Sequence, residues 1–330
     1  MATEYATAER ERQATWRETS CALPPEARIS GRFRGRPHRW LLPIDSADHN
    51  LLPAIRADLL AHFERHHIAW HDGGQADYGP RARLGPSPNL MDSQVACLNF
   101  WSGLATVSPA ALLEVVRVFA PDAARLVSPV PDGPLLEPEW IGLSNHLGER
   151  GSRRRGQHAT SADLLLAWED PRGAKHGALL ESKYSESYAA RDGRFSSRGT
   201  DRAAIYADVA SHSWSPLSDP CGLAELMYEP FDQHLRQQLL ASAMEASNEL
   251  GLSSVCLVHV APRANRAFHE GVTVPSLRRY ATVAHAWRSV LRRPERYVSL
   301  AYEDVFARAA AVPGTSDWQT RLRDRYGWAS

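Results

Sequence analysis

No stretch of the chain approaches the 18 consecutive apolar residues that read as a membrane span, and its first residues, MATEYATAERERQATW, are charged from the start, without the apolar core of a signal peptide. The expectation is a soluble, cytoplasmic protein with no membrane partner. Cysteine is scarce: Cys21, Cys97, Cys221 and Cys256 stand far apart and form no C-x-x-C pair, which argues against a zinc knuckle and a disulfide framework. Cys97 and Cys256 are expected in the core, where free cysteine acts as a small hydrophobe. An excess of either charge is also missing. Lys plus Arg and Asp plus Glu both number 38, so any polyanionic partner must be held by local patches. The chain has no G-x-S-x-G, no Gly-rich phosphate loop ending in Gly-Lys-Ser/Thr and no H-E-x-x-H, which removes the common hydrolase, NTPase and metalloprotease signatures and leaves no ATP site. His66, His67 and His71 have no fourth ligand close in sequence and read as structural.

What is present is enough apolar sequence for a sizeable core: 43% of 330 residues are hydrophobic, between one large domain and two ordinary ones. Residues 1–38, rich in Arg, Glu and Pro, show no apolar period and read as a mobile arm. Residues 39–127 read as a helical region. Its first helix follows Asn50, a candidate cap, with Leu51, Leu52, Ile55, Leu59 and Phe63 on one face; Asp92 and Ser108 are set to cap two more, the last running to Phe119. Residues 128–138 hold four prolines and one glycine and read as a linker. Residues 139–270 then change pattern: short apolar runs at 140–143, 162–168 and 177–183, a helix over 232–250 stopped by Gly251, and the buried-strand run SVCLVHV at 254–260. Residues 271–330 close the chain with helices at 277–291 and 302–310 that are expected to pack on this core. The fold class is therefore α/β, a mixed central sheet flanked by helices, with a helical N-terminal region.

A two-residue period sends Leu179, Glu181 and Lys183 to one face of their strand. The preceding strand carries Asp163, and EDPRGAKH between the two holds the Pro and Gly that a hairpin loop needs. The midpoint of 163 and 181 is Arg172, near the centre of that loop, so a simple hairpin sets Asp163 opposite Glu181. Two carboxylates so close repel each other unless a cation or proton lies between them. Oxygen ligands suit Mg²⁺ or Mn²⁺, which keeps waters that can act as nucleophiles, and Lys183 is placed to orient such a water or to offset charge on a phosphate. That arrangement fits phosphodiester hydrolysis. An ordinary cross-strand ion network on a solvated face is the competing reading, and the apolar neighbours Leu164 to Trp168 and Ala178 to Leu180 weigh against it.

The order of elements, with SADLLLAW, the eighteen-residue step and LLESKY, resembles the PD-(D/E)XK nuclease superfamily and its restriction-endonuclease-like fold. PHRWLLPIDSADHNLLPAIR, IAWHDG, MDSQVACLNFW and FDQHLRQQLL are similar to segments of a bacterial subfamily described as restriction endonucleases, a resemblance spanning roughly residues 38–270. It implies Asp163 and Glu181 as metal ligands, the Ser182 carbonyl as a further ligand and Lys183 as the water-orienting base. Ala162 stands where the family's leading proline would be. The resemblance also suggests Glu139 as a third metal-site carboxylate and Gln233 as a polar residue facing the site.

Arg150, Arg153, Arg154 and Arg155 cluster before the Asp163 strand, and Arg263 and Arg266 follow the last core strand; both groups are candidates for backbone phosphates. The expected function is a Mg²⁺- or Mn²⁺-dependent DNA endonuclease for restriction or defence. The alternatives are an inactive binding module of the same fold and a nuclease acting on RNA or branched DNA. A homodimer is left open.

Overall fold

The computed structural model describes residues 3–71, 85–157, 159–195, 199–218 and 222–328. The chain divides into two compact units, unit 1 formed by Met1–Pro121, Ser182–Ser185 and Ala301–Ser330, and unit 2 by Asp122–Glu181 and Glu186–Leu300.

Unit 1 opens with helix α1 (Glu4–Thr19), where the Thr3 side chain accepts the Ala6 N–H as an N-cap. This corrects the expected mobile arm: Gln13, Ala14 and Arg17 are buried, and the face is largely polar, so apolar periodicity does not reveal it. A hairpin of β1 (Gly31–Phe33) and β2 (Arg36–His38) follows, then α2 (Pro53–Arg65), α3 (Ser93–Val107) and α4 (Pro109–Val116). Asp92 and Ser108 cap α3 and α4 as expected, accepting the Val95 and Ala111 N–H groups, although α4 stops at Val116, before Phe119. Asn50 is not a cap. Its amide donates to the carbonyls of Ser87 and Asn89 at 2.6 and 3.0 Å. In α3 every residue from Ser93 to Leu104 is buried, so its polar side chains must find partners inside. Asn99 does so by donating to the Asn50 carbonyl and accepting the Leu52 N–H.

Unit 2 holds β3 (Arg125–Val127), β4 (Leu136–Trp140), β5 (Ala162–Glu169), β6 (Lys175–Ser182), α5 (Arg202–Ser211), α6 (Phe231–Ala246), β7 (Ser254–Ala261), the short α7 (Arg266–His269), α8 (Val283–Arg288) and β8 (Tyr297–Ala301). The mixed sheet runs β3-β5-β6-β7-β8, with β4 also paired to β5. Helices flank it, and Leu235, Leu239 and Leu240 of α6 pack in one core with Leu165, Ala167 and Leu179 of the sheet. The α/β class and mixed sheet are therefore as read from sequence, with three local differences. The first core strand covers 136–140 rather than 140–143, so it begins inside the expected linker. The helix at 277–291 shrinks to α8. The last segment returns to unit 1 as α9 (Tyr302–Ala310) and α10 (Ser316–Tyr326) instead of joining the core of residues 139–270. There α1 packs on α10, and Gln13 donates to the Arg325 carbonyl at 3.1 Å. Cys97 and Cys256 are buried, as expected. No helix among the described residues is long and apolar enough to cross a membrane.

Candidate active site

The β5–β6 hairpin is closed by Asp170, whose Oδ1 accepts the N–H groups of Arg172 and Ala174 at 2.8 and 2.9 Å, and by Gly173 at φ +82°, a left-handed conformation that favours glycine. That turn sets an antiparallel register pairing Leu164 with Leu180, Leu165 with Leu179 and Leu166 with Ala178. Extended by one rung, this register sets 163 opposite 181. Both acids lie on buried strands, at 9% and 2% exposure, so this is not a solvated face. By strand alternation they share the face of Leu165 and Leu179, which is packed with α6.

Helix α6 supplies what meets Glu181. Gln233 and Gln237, one helical turn apart, donate to its two oxygens: Gln233 Nε2 to Oε1 at 2.6 Å, and Gln237 Nε2 to Oε2. Gln237 also donates to the Ser161 carbonyl at 2.9 Å, and the Ser161 hydroxyl donates to Glu139 Oε2 at 2.8 Å. A chain of hydrogen bonds thus runs from Glu181 to Glu139. Next to it, Thr160 donates to Glu149 and accepts from Arg236, which pairs with Asp232 at 3.3 Å. Burial alone would lower the Arg236 pKa, but Asp232, Tyr206 and Glu149 outweigh it and hold the guanidinium above its ordinary value. Gln233 was expected among nucleic-acid contacts, and here its amide serves a carboxylate. Gln237 and Ser161 were not foreseen; a Gln pair at i and i+4 inside the apolar pattern of FDQHLRQQLL is the signal that marks α6.

Glu139 has its own geometry. The β4–β5 register pairs Pro138 with Leu164 and Trp140 with Ala162, so 139 falls opposite 163, on the side away from 181. Yet Glu139 sits at φ +50°, the left-handed region, where the regular alternation of a strand is broken. Among the described residues no group of three or more His, Cys, Asp or Glu is arranged to hold a metal ion, and Glu139 is linked to Glu181 through Ser161 and Gln237.

Residues 182–185 belong to unit 1 and are fastened within it. The Ser182 hydroxyl is bonded to that of Tyr302. The Tyr184 hydroxyl donates to Glu9 Oε2 at 2.7 Å and accepts from Gln13 at 2.8 Å. Burial first, and then Glu9, push the Tyr184 pKa well above its ordinary value, so it stays a neutral donor. Lys183 is buried between these two anchors in sequence.

The expected phosphate-binding loop is partly spent on the fold. Arg155 donates to the Pro138 carbonyl at 2.9 Å and pairs with Glu137 at 2.9 Å, and Arg153 donates to the Gly142 carbonyl at 3.0 Å. Arg150 and Arg154 are exposed, as is Arg263, while Arg266 is exposed and paired with Glu270 at 2.9 Å.

Compared with known families, residues 10–327 match the model described as "Restriction Endonuclease associating with ARP". The chain belongs to this restriction endonuclease family. The match reaches from within α1 to the end of α10, so for this restriction endonuclease family member both units, not only residues 38–270, are part of the shared architecture. Its mixed sheet flanked by helices is that of a restriction-endonuclease-like fold. No curated protein and no solved structure matches the chain.

Proposed function

We propose that the chain is a Mg²⁺- or Mn²⁺-dependent DNA endonuclease of the PD-(D/E)XK type, acting in restriction or defence. The observation that carries this reading is the register that opposes two buried carboxylates, Asp163 and Glu181, with both Glu181 oxygens held by amide donors. The donor set fits a hard divalent cation, because the two acids offer only oxygen and their repulsion is relieved by positive charge. Asp163 and Glu181 would hold the ion, with the Ser182 carbonyl as the further ligand. When bound, the ion supplies charge that acidifies water and offsets the charge of the scissile phosphate.

The chain's own residues do the rest. Gln233 and Gln237 donate from α6 and fix the Glu181 carboxylate in one orientation. Lys183, fixed in sequence between the anchored Ser182 and Tyr184, carries the proton-handling role toward water and phosphate. The family description names an association with ARP, and a partner of that kind belongs to the proposal. Purified protein is expected to nick or cut DNA with Mg²⁺ or Mn²⁺ and to stop when EDTA removes the ion. Cleavage that survives exhaustive chelation overturns the reading.

A further inference from the structure

Between Glu26 and Asp45 the chain has no acidic residue, and it has five arginines: Arg28, Arg32, Arg34, Arg36 and Arg39. Arg28 donates to the Leu23 carbonyl at 3.0 Å, and Arg39 pairs with Glu11 and Glu18. Arg32, Arg34 and Arg36 are exposed and all three stand on the β1–β2 hairpin, where Arg32 donates to the Gly35 carbonyl at 2.8 Å and the Arg34 guanidinium lies 5.1 Å from the Phe33 ring centroid, contacts within the hairpin itself.

This hairpin is held in a fixed direction. Its base is Gly31, whose N–H donates to the Leu41 carbonyl at 2.8 Å, and a Cβ there would come within 1.9 Å of the Leu42 carbonyl oxygen, so only glycine fits. Its aromatic residues, Phe33, His38 and Trp40, contact one another in turn, with ring centroids 6.3 and 4.9 Å apart. Its two-residue turn, Arg34-Gly35, has φ of +49° and +75°. Such turns favour Asn or Gly at the first position; an arginine held there sets a cation at the tip despite its backbone preference. The register pairs Arg32 with Pro37 and Phe33 with Arg36, so Arg32 and Arg36 leave opposite faces of the ribbon.

We propose that this hairpin is a duplex-binding ribbon that enters a groove of the nucleic acid and contacts the phosphates on both sides. A two-stranded ribbon fits the width of the major groove of DNA. Cations on both faces and at the tip are met together only between two charged walls; a flat anionic surface would reach one face at a time. The inference rests on the nuclease reading and adds to it a binding element in unit 1, whereas the loop arginines Arg153 and Arg155 of unit 2 are occupied with backbone carbonyls and Glu137.

The test is the salt dependence of binding of the full chain to a blunt 30-base-pair duplex, in EDTA, for wild type and for R32A/R34A/R36A. Each phosphate contact contributes a slope of roughly −0.9 in log K against log salt, so the triple variant should have a slope shallower by roughly 2 to 3. Between 50 and 200 mM salt the wild type should lose about 40-fold more affinity than the variant. R32K/R34K/R36K should keep the wild-type slope, and an unchanged melting temperature for both variants shows that the fold is intact. An unchanged slope in R32A/R34A/R36A, with DNA still bound and cut, overturns the ribbon and leaves the nuclease reading standing. Wild-type protein that binds phosphatidylserine vesicles through these arginines but no duplex overturns both.

Discussion

Asp163 and Glu181 oppose each other one rung beyond the Leu164–Leu180 pair of the β5–β6 ladder, on strands with little solvent access. Two buried carboxylates across one ladder are costly in isolation, and native structures keep such arrangements where a cation or a proton network repays them. The amides of Gln233 and Gln237 supply one part of that compensation, and in the proposed function a divalent ion supplies the rest.

The amide pair gives the first prediction. Gln237→Leu removes a donor from Glu181 and from the Ser161 carbonyl, so metal affinity or turnover should drop roughly 10- to 100-fold, the usual effect of losing a partner that orients a ligand. Gln233→Ala removes only the Glu181 contact and should have the smaller effect. Mn²⁺ titration together with DNA cleavage of both variants checks the order; wild-type values for Gln237→Leu would show that Glu181 needs no such support.

Arg155 separates fold from binding. Its guanidinium serves Glu137, which is 4% exposed, and the Pro138 carbonyl, so Arg155→Ala should destabilise unit 2 by about 1–3 kcal/mol through buried acceptors left without a donor. Arg150→Ala and Arg154→Ala, at exposed positions, should leave the denaturation midpoint almost unchanged. Equal midpoints for all three variants would contradict the assignment of Arg155 to the fold.

The hairpin turn carries a pH dependence. Hydrogen bonds from Ala174 and then Arg172 hold the Asp170 carboxyl below its ordinary pKa in the folded state. A depressed folded pKa means stability that is present above the unfolded value and lost as pH falls through the folded one. Wild type should therefore exceed Asp170→Asn in urea midpoint at pH 7, and the difference should shrink as the pH is lowered through and below the ordinary carboxylate range. A difference independent of pH would show that the charge of Asp170 does not support the turn.

The parts legible in the sequence are those governed by local pattern. The β5–β6 register followed from apolar runs and from turn residues placed symmetrically about Arg172, and the caps Asp92 and Ser108 were set by their own neighbours. What escaped depends on partners far along the chain. Helix α1 buries Gln13 against Tyr184 and Arg325, 171 and 312 residues away, so its inner face is polar and looks like a solvated arm. The bonds of Gln237 to Glu181 exist only once α6 has docked on the sheet, and the left-handed turn at Glu139 has no signal in LEPEW. Arg153 and Arg155 looked like free cations because their acceptors are backbone carbonyls, which leave no trace in side-chain spacing, and Glu137.

The central claim is that Asp163 and Glu181 hold a catalytic divalent ion with Lys183 handling the proton. The most direct measurement is Mn²⁺ affinity by calorimetry beside cleavage of a mixed DNA substrate, for Asp163→Ala, Glu181→Ala and Lys183→Ala. All three variants should fail to cut. The first two should also bind Mn²⁺ more weakly, because each loses a ligand and a negative charge, while Lys183→Ala should bind it as well as wild type or slightly better, because a nearby positive charge is gone. An active Glu181→Ala enzyme, or Mn²⁺ affinity unchanged in both carboxylate variants, would contradict the account.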